Sequence, residues 1–287
     1  MSILEIFKSK AKDKQAKIGI GLGKNAKHNL KIFENASNVA KSYNAHIYIF
    51  GSEESINSIS EEDKKKSHAT KINVIPSLNP ESTIIKQLLE GKLDAIIRGS
   101  MSSTKFLTEV KEKLHLSEIH RLALLETAGG WQFFYAPVGI DECSSFEEKR
   151  EFIEKAIKEF KRLSISPNIS VLSGGRKGDL GRNPDVDESI KMAEQLVEYF
   201  KSTDPQLRIE HDEVLIETAI NRKANLIIAP EGISGNLIYR TLVHLGRGKA
   251  YGAIYMGLKS VIIDTSRVGK SEEIYGAFLL ALALSRN

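Results

Sequence analysis

The chain has 287 residues, 41% of them hydrophobic, enough to bury a full core and long enough for one large domain or two of ordinary size. Its 41 basic and 37 acidic residues leave a net charge of +4, scattered through both halves with no Arg/Lys stripe interleaved with aromatics, so nucleic acid is not an indicated partner and a small anionic substrate is. The single cysteine, Cys143, excludes a disulfide framework and a multi-cysteine zinc site, and the absence of a signal-peptide pattern or a membrane-length apolar run predicts a soluble, cytoplasmic chain with no membrane partner.

Residues 17–22 (KIGIGL) read as a short strand, 29–41 as a helix with Leu30, Phe33, Ala36, Val39 and Ala40 at helical spacing, and 45–50 (AHIYIF) as a second strand. The polar stretch 52–70 reads as a short exposed helix or loop. A strand at 71–75, a helix at 81–90 and a strand at 93–97 (LDAII) follow, leading into RGSMSSTKFLTEV. The alternation restarts at 133: strand 133–137, helix 147–160, strand 169–173, the loop GGRKGDLGRNPDVD, helix 188–199, strand 208–210 and a helix around 214–222. Alternation of this kind predicts parallel sheets covered by helices, and its restart predicts a second α/β domain. Residues 274–283 (IYGAFLLALA) are apolar almost all round and should form a buried helix.

The stretch 224–274 carries most of the chemistry. It reads as strand, Gly-rich turn, helix and second strand, then a polar turn with Ser266, Arg267 and the pair Glu272/Glu273 before the final helix. A hydroxyl, a fixed cation and a carboxylate are thereby placed at the carboxyl end of a buried strand, where open α/β sheets bind ligands. Glu231, Ser234, Gly235 and Asn236 occupy the first turn of this stretch, where glycine permits close approach and free helix N–H groups cradle an anion; the plainer alternative is a βα turn N-capped by Ser234 or Asn236. Arg98, Gly99, Ser100 and Thr104 form a second hydroxyl-rich strand-to-helix turn, with helix capping and a surface ion pair as the alternatives. Lys177, with Arg176 and Arg182, lies in the 174–184 loop and either binds phosphate or faces solvent. GIGLG at 19–23 lacks the full dinucleotide fingerprint and reads as a turn. The seven histidines lack metal-ligand spacing and read as surface or packing residues, so no metal is predicted. Cys143 reads as a lone thiol before a helix.

Several of these blocks resemble the phosphate acetyl- and butyryltransferases: 224–230, GNLIY at 235–239, AIYMGL at 253–258, DTSR at 264–267 with EEI at 272–274, and more thinly LDAIIRGSMSSTKFL at 93–107. The blocks RGSMSSTKFL, GGRKGDLGRNP and APEGISGNLIYRTL are more similar still to the methanogen marker protein 4 family, also labelled methyltransferase subunit X. The resemblance implies an isocitrate dehydrogenase-like fold of two α/β domains around a cleft, residues 1–131 plus 254–287 and residues 132–253, in a homodimer. It implies that a coenzyme A or other thiol attacks an acyl phosphate in that cleft. Ser266 would hydrogen-bond the leaving phosphate or developing oxyanion, Arg267 would neutralise phosphate charge, and Glu273 would take the thiol proton. The chain departs from the transferases in having Glu273 for aspartate, Leu215 for glutamine and a longer 174–184 loop. The subunit label implies instead a role in methanogenic methyl transfer alongside partner methyltransferase subunits. A phosphometabolite sensor on the same scaffold is a third reading, and Glu272/Glu273 as plain first-turn acids is the alternative at the site itself.

Overall fold

The structure is a computed structural model that describes residues 2–68, 71–267 and 269–285, so the end of the polar 52–70 stretch and residue 268 of the 264–273 turn lie outside the described residues. The chain divides into two compact units, one running to Ile119 and resuming at Ala250, the other His120–Lys249.

The first unit is built on strands in the order β3-β2-β1-β4-β11-β10. These are β1 (Ala16–Gly21), β2 (Ala45–Gly51), β3 (Ile72–Pro76), β4 (Ala95–Ile97), β10 (Lys249–Tyr255) and β11 (Val261–Asp264). The first five in the row are parallel, with registers such as Ile18↔Ile47, Ile18↔Ala95 and Ile262↔Ile96, while β10 runs antiparallel to β11. Its helices are α1 (Ile3–Lys12), α2 (Ala26–Ser42), α3 (Glu53–Asn57), α4 (Glu61–His68), α5 (Pro80–Leu89), α6 (Ser103–Leu114) and α11 (Ser271–Leu284). Apolar runs without alternation, such as Ala95–Ile97, are buried on both faces, as parallel strands between helix layers must be.

Helix α11 is the keystone of this unit. It packs against α1, α2, β1, β4 and β11, which explains a sequence apolar on every face. Phe278, Leu279, Leu280 and Leu282 are fully buried, each contributing roughly 1.5–3 kcal/mol relative to exposure. Gly276 lets the helix approach β10: a Cβ there would stand 2.5 Å from the Tyr251 Cβ.

The second unit has strand order β5-β6-β9-β7-β8: β5 (Arg121–Glu126), β6 (Gln132–Ala136), β7 (Asn168–Val171), β8 (Arg208–His211) and β9 (Leu226–Ile228). β6, β9, β7 and β8 are parallel, and β5 is the antiparallel arm of a hairpin with β6. The helices are α7 (Phe146–Leu163), α8 (Pro184–Thr203), α9 (Ile216–Asn221) and α10 (Gly232–Arg240). Because the β5–β6 hairpin holds 121–126 with 132–136, the divide between the units falls at 119/120, not at 131/132, and the return falls at 249/250, not at 253/254.

Other departures from the sequence reading have local causes. Residues 3–12 form a helix, started by a capping box in which the Ser2 hydroxyl accepts the Glu5 N–H and the Glu5 carboxylate accepts the Ser2 N–H. The polar 52–70 stretch holds two short helices, α3 and α4. The helix after β9 ends at Arg240 and continues only as a π turn over Thr241–Leu245, closed by the Gly246 N–H on the Thr241 carbonyl at 2.8 Å. In GIGLG, Gly19 and Gly21 are strand residues and not a turn. Ile18 and Ile20 alternate with them, and a Cβ on Gly19 would stand 2.8 Å from Leu93 and one on Gly21 2.3 Å from the Met101 sulfur.

Candidate functional site

The chemistry of the first unit gathers at the carboxyl ends of β4 and β11. Arg98 leaves β4 with its N–H on the Ile263 carbonyl at 2.9 Å. The residue is 4% exposed, and Nε donates to Asp264 Oδ1, one terminal nitrogen to the Met101 carbonyl at 2.8 Å and the other to the Thr265 carbonyl. Arg98 is therefore a buried ion pair, neither the surface pair nor the open phosphate ligand of the sequence reading. It clamps the turn after β11 to the turn after β4. Burial is the largest single influence and works against its charge, but the Asp264 carboxylate and smaller contributions from Tyr255 and Glu273 together offset it and hold the guanidinium more firmly protonated than usual. The Thr265 hydroxyl adds a second tie, donating to the Gly99 carbonyl at 2.9 Å.

Gly99 sits at φ +64, and a Cβ on it would stand 2.0 Å from the Gly21 carbonyl oxygen, so only glycine fits. Ser100 is buried; its hydroxyl donates to Asn29 Oδ1 at 2.8 Å and accepts the Gly23 N–H at 2.7 Å. Asn29 Nδ2 returns to the Gly23 carbonyl at 2.8 Å, closing a ring of bonds between the turns after β1 and β4. Thr104 is exposed in the first turn of α6, which is N-capped by Ser102.

Beyond the clamp, Ser266, Arg267 and Glu273 are brought together as one turn and the start of α11. The Ser266 N–H donates to Glu273 Oε1 at 2.6 Å, and the Glu273 N–H donates to the Lys270 carbonyl at 3.1 Å. Gly269 leaves room for the carboxylate, since a Cβ there would stand 2.4 Å from Glu273 Oε2. Glu272 is exposed, whereas Glu273, one residue and about 100° further round the helix, is 6% exposed. Burial raises the Glu273 carboxyl to about 7; the neighbouring Asp264 charge adds to the rise, and the Ser266 N–H and Arg98 oppose it. Glu273 thus differs from its neighbour Glu272 in being buried and tied to the Ser266 turn. Arg267 is exposed and forms no hydrogen bond or ion pair among the described residues.

The candidates in the second unit make contacts within that unit. Glu231 is the N-cap of α10, its carboxylate accepting the N–H groups of Ile233 at 2.6 Å and Ser234 at 2.9 Å. Those amides are therefore occupied from within, by a residue that the capping alternatives Ser234 and Asn236 had overlooked. The Ser234 hydroxyl donates to the Glu231 carbonyl at 3.1 Å and Asn236 Nδ2 to the Val138 carbonyl at 2.9 Å. Gly235 meets the same loop, where a Cβ would stand 2.2 Å from the Pro137 carbonyl oxygen. Lys177 is exposed and ion-paired with Glu194 at 2.8 Å.

Asp264, Thr265 and Asn29 were absent from the candidate set. Asp264 had a signal, an acidic residue ending an apolar strand beside Ser266; Asn29 had none beyond a polar residue on the buried stripe of α2. Among the described residues no group of three or more His, Cys, Asp or Glu side chains is placed to hold a metal, and no helix is long and apolar enough to cross a membrane.

The fold is of the α/β class, with a polar turn after a buried strand that carries Ser266, the exposed Arg267 and, from the next helix, the buried Glu273 carboxylate. The chain belongs to the phosphate acetyl/butaryl transferase family, whose model matches residues 4–282. Within that class it is 36% identical over 284 residues, 99% of this chain and 95% of the relative, to the "Putative methyltransferase mtx subunit X" of Methanosarcina mazei. Among solved structures it is similar to a branched-chain phosphotransacylase from Enterococcus faecalis, with a TM-score of 0.68 at 15% identity over 94% of this chain and 99% of that one. A phosphotransacetylase from Streptococcus pyogenes matches at a TM-score of 0.67 and 19% identity over 99% of this chain and 98% of that one. At such identities these structures establish the α/β fold.

Proposed function

We propose that the protein is a transferase that moves an acyl or related group between a thiol coenzyme, coenzyme A or another, and phosphate, at the Ser266–Arg267–Glu273 turn. The observation that carries this reading is Glu273: a buried carboxylate held by the Ser266 N–H at 2.6 Å, with its pKa raised to about 7. A thiol of ordinary pKa about 8.5 is mostly protonated at neutral pH, and a base of pKa near 7 is matched to removing its proton. In the reaction the thiol proton passes to Glu273, sulfur bonds to the acyl carbon, and the carbon–oxygen bond to phosphate breaks. The exposed Arg267 receives the departing charge in the planar geometry a guanidinium suits, and Ser266 lies between the two. Purified protein supplied with acyl phosphates and coenzyme A should form thioester, and Glu273→Gln should lose on the order of 100-fold or more of that rate. No turnover by the wild-type protein across acyl groups and thiol coenzymes would overturn the reading.

The name carried by the Methanosarcina relative supports a second reading, a methyltransferase subunit working with partner proteins in methanogenic archaeal metabolism. That reading expects co-purification with a methyltransferase and no binding of coenzyme A.

A further inference from the structure

We propose that the turn between β1 and α2 is an anion subsite for a phosphate-class group, with His28 as the residue that contacts it. The strand order β3-β2-β1-β4-β11 reverses at β1: the chain proceeds from β1 to β2 and β3 on one side, and β4 lies on the other. The carboxyl ends of β1 and β4 therefore flank a topological switch point, where open α/β sheets take up ligands. The ring of bonds through Gly23, Ser100 and Asn29 fixes the two turns there.

Helix α2, 17 residues long, starts at this point. Its N-cap Asn25 accepts the His28 N–H at 3.0 Å, which leaves the amides of Ala26 and Lys27, both exposed, with no hydrogen bond among the described residues. Lys24 and Lys27 are exposed around them.

His28 supplies an independent indication. It is 4% exposed, and its Nε2, itself buried, has no hydrogen-bond partner among the described residues. His28 is the third residue of α2, where Cα–Cβ bonds tilt toward the helix N-terminus, and the charge of Arg98 at the end of β4 acts on its ring, which puts it on the β4 side of the turn. Burial, then the cations Lys31 and Arg98, hold the imidazole below the usual histidine range, and no carboxylate acts on it. A neutral ring with an unspent nitrogen, in a field set by a helix N-terminus and two cations, is suited to hydrogen-bond a phosphate oxygen.

The ligand class rests on the transferase reading, whereas occupancy is measured without turnover. The full-length protein labelled with 15N-histidine is titrated with inorganic phosphate and followed through the His28 Nε2 resonance, assigned with His28→Phe. A saturable shift of that resonance is expected, with phosphate binding about tenfold weaker in His28→Phe. An unmoved His28 resonance while phosphate binds elsewhere, or equal affinity in a folded His28→Phe, overturns the proposal. If His28→Phe does not fold, the wild-type resonance, assigned then from backbone connectivity, together with Lys24→Ala/Lys27→Ala, decides: weaker binding supports the subsite and unchanged binding overturns it. Acetyl phosphate and a nucleoside bisphosphate, run as competitors, separate the acyl-phosphate source from the coenzyme source. Competition by either supports the subsite, and competition by neither overturns it. Phosphate binding at His28 without thioester formation would refute the transferase reading alone; thioester formation without binding at His28 would refute this one alone.

Discussion

Replacing Glu273 with glutamine separates what this carboxyl costs the fold from what it contributes to chemistry. The amide keeps nearly the same shape and can still accept the Ser266 N–H, but it cannot ionise. In the wild-type protein the folded pKa of about 7 stands above the unfolded value of 4.5. A carboxyl shifted upward binds its proton more tightly when folded, so the folded state is favoured below about pH 4.5 and progressively disfavoured as pH rises to about 7. The loss is complete just above that pH and, at 1.36 kcal/mol per unit, amounts to about 3 kcal/mol. Glu273→Gln should therefore match the wild type in urea unfolding near pH 4.5 and exceed it by up to about 3 kcal/mol at pH 8, while transfer activity falls on the order of 100-fold or more. Wild-type activity should rise with pH through about 7 as the base ionises. Parallel stability curves for the two proteins from pH 4.5 to 8 would refute the assignment of a buried, high-pKa carboxyl, whatever the activity.

Arg267→Ala should weaken substrate binding, read as a raised KM, and change unfolding free energy by no more than about 0.5 kcal/mol, because the exposed side chain has no hydrogen bond or ion pair among the described residues. Arg98→Met should cost about 3–5 kcal/mol in urea unfolding by leaving Asp264 without its counter-ion, and Asp264→Asn in the same background should recover part of it. Ser100→Ala deprives both Gly23 N–H and Asn29 Oδ1 of a partner and should cost about 1–3 kcal/mol, with faster hydrogen exchange at Gly23.

The alternation of strands and helices was legible because strands buried on both faces are short unbroken apolar runs, as in Ala95–Ile97 and Leu226–Ile228. The two antiparallel strands were not, since strand direction depends on long-range pairing that composition does not encode. Ser266, Arg267 and Glu273 stood out as polar residues between a buried strand and a buried helix. That Glu273 is the buried one of two adjacent glutamates is decided by helical phase relative to β11 and the 264–270 turn. The Arg98–Asp264 pair joins residues 166 apart in sequence and could not be read from either segment. Glu231 as the cap of α10 was missed because short side chains are the better prior at that position, yet a longer carboxylate reaches two amides at once.

The second unit is one continuous stretch, His120–Lys249, set within a first unit that is resumed only at Ala250. During synthesis the inserted unit can complete its own sheet while the earlier unit still lacks β11, the parallel neighbour of β4, and α11, which covers the same strands. Until then β4 presents an unpaired edge and Arg98 lacks Asp264. The residue proposed as the base arrives in the same segment that closes this edge. Chains interrupted before that segment are therefore both aggregation-prone and without the Ser266–Arg267–Glu273 turn, so assembly of the site coincides with completion of the first unit.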